Sequence, residues 1–302
     1  MKVMITGGSG FIGTCLSHHL LNKGHQVIAT GTRAEHPSMD REGFTYLKAD
    51  TRQPGIWQEK VAGCDAVVNL AGRTIFHPWS ESYRQQILDS RVQTTRHLVD
   101  ALPDGREIFF CSASAVGYYG SRGDEPLSES APPGEDFMAQ VALQWEAAAM
   151  AAREKGARVV TPRFGVILGH QGGAMLKMVP FYRLLLGGPL GSGRQWFAWM
   201  HIDDLLSAID FLMQHTHMQG PLNFCAPDAI RQGEFARALG RALKRPALMP
   251  TPAMLIELVA GKLGEALLAS QRVIPAKLLE AGFEFSHPRI DGALAAIVSQ
   301  LR

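Results

Sequence analysis

A short β-rich run, Lys2 to Thr6, passes directly into Gly7-Gly8-Ser9-Gly10-Phe11-Ile12-Gly13 and then into a stretch with apolar residues at Phe11, Ile12, Cys15, Leu16, Leu20 and Leu21. The spacing predicts a strand, a glycine turn and a helix. Gly24 stops that helix where a left-handed residue costs little, and Gln26 to Thr30 supplies a second strand, so the chain opens with a βαβ unit. Glycines at 7, 10 and 13 permit a tight turn, close approach of backbone N–H groups to a pyrophosphate, and close packing of helix on strand. The phosphates then rest on the helix N-terminus. A glycine triplet carries weight only in this strand-to-helix context, and here it has it. The second strand ends in Gly31-Thr32-Arg33, with no carboxylate to hold a ribose 2′-hydroxyl and a guanidinium suited to a 2′-phosphate, which predicts NADP(H) rather than NAD(H).

Strand and helix signals continue to alternate. Phe44 to Ala49, Asp65 to Leu70, Glu107 to Ser112 and Arg158 to Arg163 read as strands; Trp79 to Leu102 and Asp136 to Lys155 read as covering helices, the second stopped by Gly156. The fold class expected is α/β, a Rossmann-type doubly wound parallel sheet with a smaller C-terminal α/β region facing the substrate. Residues 1–168 form the expected NADP-binding domain, with 202–225 returning to it as a helix (Ile202 to His215) and a strand (Leu222 to Cys225). Residues 169–302 are expected to be mainly substrate-facing. They open with Gly-rich turns and the aromatics Trp196, Phe197 and Trp199, which suit either a pocket or a core, and continue with helices at Gln232 to Leu243 and Pro252 to Ala269.

Composition removes several function classes. Thirty basic and 28 acidic side chains leave a formal charge of +2 with no basic run longer than two, which argues against a nucleic-acid partner. Cys15, Cys64, Cys111 and Cys225 are far apart, without a Cys-x-x-Cys pair or a short His/Cys array, so neither a disulfide framework nor a metal site is expected, and the compartment reads as reducing and cytoplasmic. The longest apolar tract, Ala253 to Ala269, contains Glu257, Lys262 and Glu265, so neither a membrane span nor a membrane partner is expected. The N-terminal apolar run is too short for a signal-peptide core.

Beyond the glycine turn, Asn69-Leu70-Ala71-Gly72, Cys111-Ser112-Ala113-Ser114-Ala115-Val116-Gly117-Tyr118-Tyr119-Gly120 and His201-Ile202-Asp203-Asp204-Leu205 follow in order. Together they resemble the extended and atypical branches of the short-chain dehydrogenase/reductase superfamily. Trp145-Glu146-Ala147-Ala148, Gly187 to Gly193 and Arg272-Val273-Ile274-Pro275 narrow the resemblance to epimerase-family proteins of the nucleoside-diphosphate-sugar epimerase type. The resemblance spans the whole chain. It implies that Gly7, Gly10, Phe11, Ile12 and Gly13, with Thr32 and Arg33, hold the adenosine and phosphates of the cofactor. It implies also that Leu70 and Ala71 flank the cofactor and that Arg91, after Ser90, contacts it. A small-molecule substrate is expected, a nucleotide sugar among the candidates, and the branch often pairs subunits into a homodimer through two helices.

One departure from that pattern bears on chemistry. Counting back from Glu146 puts Met138 and Ala142 where the superfamily carries its Tyr and Lys acid/base pair, and a one-residue slip gives Phe137 and Val141. None of these exchanges a proton. Ser114 matches the superfamily's active-site hydroxyl and Tyr118 follows at the Tyr-Gly position, so these two are the expected catalytic residues; Lys177 and His201 are further candidates. The Arg that contacts a substrate diphosphate, four residues before the motif His, is replaced by Phe197, with Arg194 nearby. Two functions remain open: an NADP(H)-dependent epimerase or carbonyl oxidoreductase without the usual pair, or an NADPH-binding protein with little or no turnover and a sensing or structural role.

Overall fold

The computed structural model describes residues 1–37 and 39–301. Strand β1 (Lys2–Thr6) runs into helix α1 (Phe11–Asn22), followed by β2 (Gln26–Gly31), β3 (Phe44–Lys48) and β4 (Ala66–Asn69). Helix α2 (Glu81–Ala101), β5 (Phe109–Ser112), α3 (Phe137–Met150) and β6 (Arg158–Phe164) complete the N-terminal part. After β7 (Val166–Leu168), α4 (Gly173–Arg183) and β8 (Trp199–His201), the chain continues through α5 (Ile202–Gln214) and β9 (Gly220–Phe224). The remainder is α6 (Gln232–Leu243), α7 (Ala253–Ala260), α8 (Lys262–Leu268), α9 (Ala276–Glu280) and α10 (Ile290–Ser299).

The main sheet has the order β9-β6-β5-β4-β1-β2-β3, and every neighbouring pair on that path is parallel. Its inner strands are buried on both faces, as a parallel sheet covered by helices requires. Alternate side chains divide between two cores. Val3, Ile5, Val27, Ala29 and Val68 pack with Leu16 and Leu20 of α1 and Leu205 and Ile209 of α5. Met4, Ile28, Val67 and Phe110 pack with Leu98 of α2 and Ala149 of α3. This is the period-two alternation of strands expressed as a three-layer fold. A third core, built by Met175, Val179, Trp199, Phe235, Leu239 and Leu294, holds together α4, α6 and α10.

The strand order reverses between β1 and β4, and the carboxyl ends of those strands carry the glycine turn and Leu70. Open α/β sheets bind ligands at such a switch point. Residues 220–224 pair with β6, so the strand expected near 222–225 begins two residues earlier and lies at the edge of the main sheet. The helix expected over Pro252 to Ala269 is two helices, because Gly261, at φ +55°, turns the chain between α7 and α8. Helix α3 ends at Met150 in a tighter turn over Ala151–Lys155 before Gly156, left-handed at φ +88°. Among the described residues, no helix is long and apolar enough to cross a membrane.

Candidate cofactor and substrate cleft

Gly7 has φ +70°, and a Cβ there would lie 2.8–2.9 Å from Leu70 O and Ala71 N, so the loop after β4 can close onto the turn only because the side chain is missing. A Cβ on Gly13 would sit 2.5 Å from Gly7 O, which fixes how deeply α1 sinks against β1. Gly10 is the N-cap of α1 and offers no capping side chain, and the first turn holds no acidic residue. The amides of that turn therefore keep their donors for a ligand, with the positive end of the helix dipole behind them. Beneath the β4 loop, buried Asn69 accepts from Thr6 Oγ1 at 2.6 Å and donates to Thr95 Oγ1 at 2.8 Å and Ser112 Oγ at 3.0 Å, tying β1, β4, β5 and α2 into one floor.

Gly7, Gly10, Phe11, Ile12, Gly13 and Leu70 line one cleft of about 540 Å³, together with Arg91, Ser114, Asp136, Met138, Ala142 and Trp145. Gly173 and Ala174 of α4, Ala266 of α8 and Ala269 close its far side. A second hollow of about 430 Å³ shares Gly10 and Phe11 with the first and is lined by Ser9, Thr14, His18 and Arg33. The residues expected to hold the two ends of a dinucleotide thus meet around one glycine turn. Ala71 and Thr32 line neither hollow: the Ala71 backbone packs against Gly7, and Thr32 is exposed beside Arg33.

Arg91 lies on the cleft wall with its guanidinium 3.2 Å from Arg73 O, 3.0 Å from Ile87 O and above the Trp145 ring. No carboxylate pairs with it among the described residues, and burial pushes it down to about 10, so it remains a cation at neutral pH. Trp145 Nε1 has no acceptor among the described residues. An unpaired cation and an orphaned donor on one wall suit an anionic, acceptor-rich ligand.

Ser114 is 2% exposed and its Oγ donates to Glu146 Oε1 at 2.6 Å. Both Glu146 oxygens accept from Arg163, at 2.7 and 2.8 Å, so the Ser114 proton points into the protein and its lone pairs are left for the cleft. Burial opposes the charge on Arg163, but Glu146 and then Tyr119 outweigh it, and its pKa stands above the ordinary guanidinium value. The network continues from Arg163 to the Tyr119 hydroxyl at 2.9 Å and from there to Asn223 Oδ1 at 2.7 Å. Burial pushes Tyr119 up to about 12, against the pull of Arg163. Glu146 and Arg163 escape the sequence reading as site residues: Glu146 serves there only as a motif marker, and nothing in a linear pattern pairs it with Arg163.

The other candidates lie apart. Tyr118 is off the cleft wall, its ring 3.4 Å from the Arg163 guanidinium carbon. Lys177 does not line the cleft itself, but its Nζ lies 5.2 Å from the ring of Phe76, which does. Trp199 belongs to the third core, Phe197 stacks on Phe235 at 4.4 Å, and Trp196 lies under Arg231 with its Nε1 on Asp124; none of the three lines the cleft that holds Arg91 and Ser114. Arg194 faces a separate groove with Arg231 and Arg237. His201 caps α5, its Nδ1 accepting from Asp203 N at 3.1 Å. The fold also brings His287 against it, with ring centroids 3.9 Å apart, and Asp203 beside both. That group is invisible to sequence spacing because His287 comes from the loop before α10, far along the chain from His201 and Asp203 at the start of α5. Since the His201 Nδ1 lone pair already serves the helix cap, the group reads as a structural clasp. Burial, then His287, lowers His201 to about 4.

The family model of the NAD dependent epimerase/dehydratase family matches residues 3–224, and a domain of unknown function, DUF1731, matches residues 251–297. The chain belongs to the NAD dependent epimerase/dehydratase family. An epimerase family protein SDR39U1 homolog of Arabidopsis thaliana, described as chloroplastic, is 36% identical over 99% of this chain and 87% of its own length. The crystal structure of human epimerase family protein SDR39U1 with NADPH superimposes with a TM-score of 0.86 at 34% identity, covering all of both chains. The nucleoside-diphosphate sugar epimerase from Corynebacterium glutamicum gives 0.78 at 31% identity, over all of this chain and 59% of that one. The parallel sheet and flanking helices of this family member are those of the short-chain dehydrogenase/reductase fold.

Proposed function

We propose that the chain binds NADP(H) across the glycine turn and acts on a small hydroxyl or carbonyl substrate, a nucleotide sugar among the candidates. The observation that carries this reading is the cleft itself: uncapped amides at the N-terminus of α1, Arg33 at one end and the unpaired Arg91 at the other. The NADPH in the human relative's structure supports it. Gly7, Gly10, Phe11, Ile12 and Gly13 would seat the pyrophosphate, Thr32 and Arg33 the adenosine and its phosphate, and Leu70, Ala71 and Arg91 the rest. When bound, the cofactor supplies the donor or acceptor of hydride.

Because Ser114 donates to Glu146, it meets a ligand as a hydrogen-bond acceptor, so it orients a hydroxyl rather than polarising a carbonyl. With Met138 and Ala142 on the wall, the residues that ordinarily deliver the proton are apolar. That same pair favours a second reading, an NADPH-binding protein with little or no turnover. Titration calorimetry with NADPH and NADH, followed by nicotinamide absorbance across alcohols, carbonyls and sugar nucleotides, separates them. Turnover that Ser114→Ala lowers by roughly 10²-fold supports the enzyme; tight NADPH binding with a silent panel supports the second reading; no binding of either nucleotide refutes both. The chain's four cysteines are all free, which suits the cytoplasm, and a homodimer through α2 and α3 is the assembly we infer.

A further inference from the structure

The largest departure from an ordinary soluble surface lies on the outer side of the C-terminal lobe. Leu184, Leu248, Met254 and Leu258 each leave between 69% and 80% of their surface in water, and Leu185 and Leu186 beside them about half. These side chains form one face. Met249 N donates to Gly187 O, Thr251 N to Pro189 O and Gly191 N to Thr251 O, so the segment after α4 and the segment before α7 run side by side. Met254 and Leu258, four apart on α7, share one side of that helix. Isolated exposed leucines are common, but a contiguous set is not.

The charge carried by the segments around this face is predominantly basic. No Asp or Glu occurs from 155 to 202 or from 235 to 256, whereas Lys177, Lys244 and Arg245 are exposed there. The acids of the α7–α8 hairpin are Glu257 and Glu265, and Glu265 is paired with Lys262 at 2.9 Å. Among the described residues, Leu185 and Lys244 are also the two non-glycine positions of positive φ, at +63° and +55°. Each ends a helix: Leu186 N returns to Phe181 O after α4, and Arg245 N to Gly240 O after α6. Glycine is the favoured residue at such a position, so the chain bears strain to present a leucine and a lysine on this face.

We propose that this face docks on an anionic phospholipid bilayer. Apolar side chains enter the acyl boundary while the cations meet lipid phosphates, and the two signals together give stable but reversible peripheral attachment. Helices α4 and α8 also wall the cleft through Gly173, Ala174 and Ala266, so a docked bilayer lies about one helix diameter, roughly 10 Å, from it.

The test is sedimentation of the full chain with vesicles of phosphatidylcholine alone and of phosphatidylcholine with roughly one-third phosphatidylglycerol. Binding is expected to the anionic vesicles only and to weaken with salt. Two double variants, Leu184→Glu with Leu258→Glu and Lys244→Glu with Arg245→Glu, should each lower it by roughly tenfold or more. Each should keep the NADPH-induced rise in Tm of the parent chain, which reports an intact fold. Wild-type protein that stays in the supernatant with both vesicles overturns the proposal, as does binding that either variant leaves intact. If light scattering instead shows a solution dimer that the leucine variant dissociates, the face belongs to a second copy and the proposal fails.

Discussion

Arg33 concentrates the choice of cofactor in one side chain. Arg33→Asp should weaken NADPH by roughly 10- to 100-fold, the value of a charge-assisted contact to a phosphate, and leave NADH nearly unchanged. Calorimetry with both nucleotides decides it; equal loss for the two would remove Arg33 from the 2′-phosphate. Glu146 is a different case, because its loss strands Arg163 in the interior. Glu146→Leu should cost about 3–5 kcal/mol by denaturant titration, and a double variant that also carries Arg163→Met should recover much of it, since a buried pair replaced by apolar groups is often neutral. His201 gives a pH dependence. Its folded pKa, about 4, lies below the unfolded value of 6.5, so its contribution is complete above 6.5 and is lost as pH falls toward 4. Tm should be lower at pH 5 than at pH 7, and His201→Asn, which retains a capping acceptor, should flatten that slope.

At the scale of elements, two positions test how local geometry builds the site. Gly13→Ala pushes a methyl to within 2.5 Å of Gly7 O, where only backbone can yield, so α1 must move off the turn; a loss of about 2 kcal/mol or more and weaker NADPH binding are expected. Leu185→Gly relieves a left-handed leucine at the end of α4 and should stabilise the chain by about 0.5–1 kcal/mol. If stability fell instead, packing of the leucine would outweigh its strain. Elements with strong local signals are legible in the sequence: β1 and α1 lie where a glycine turn, an apolar period and the stop at Gly24 coincide, and α6 has the expected bounds through its apolar period. The two-residue strands at Ser114–Ala115 and Arg272–Val273 are not, since so short a strand exists only through its partner, β6 for the first and Pro126–Leu127 for the second.

Across the whole molecule, ligand and fold are coupled by mass action. NADPH at about 100 times its Kd should add roughly 2.7 kcal/mol, a rise of about 5 °C in Tm, if it binds the native chain alone. The alternation of strands with helices and the glycine-rich phosphate turn were determined by the sequence, because both rest on local periodicity and on the backbone freedom of particular residues. Likewise the absence of a Tyr/Lys pair at 138 and 142 is a matter of composition at known register. Only the tertiary structure decided that Ser114 gives its proton to Glu146, that Tyr118 turns to Arg163 and away from the cleft, and that His201 meets His287. Those relations depend on which distant side chains share a dry interior, where each donor must find an acceptor, and pairings of that kind leave no period or spacing in the sequence.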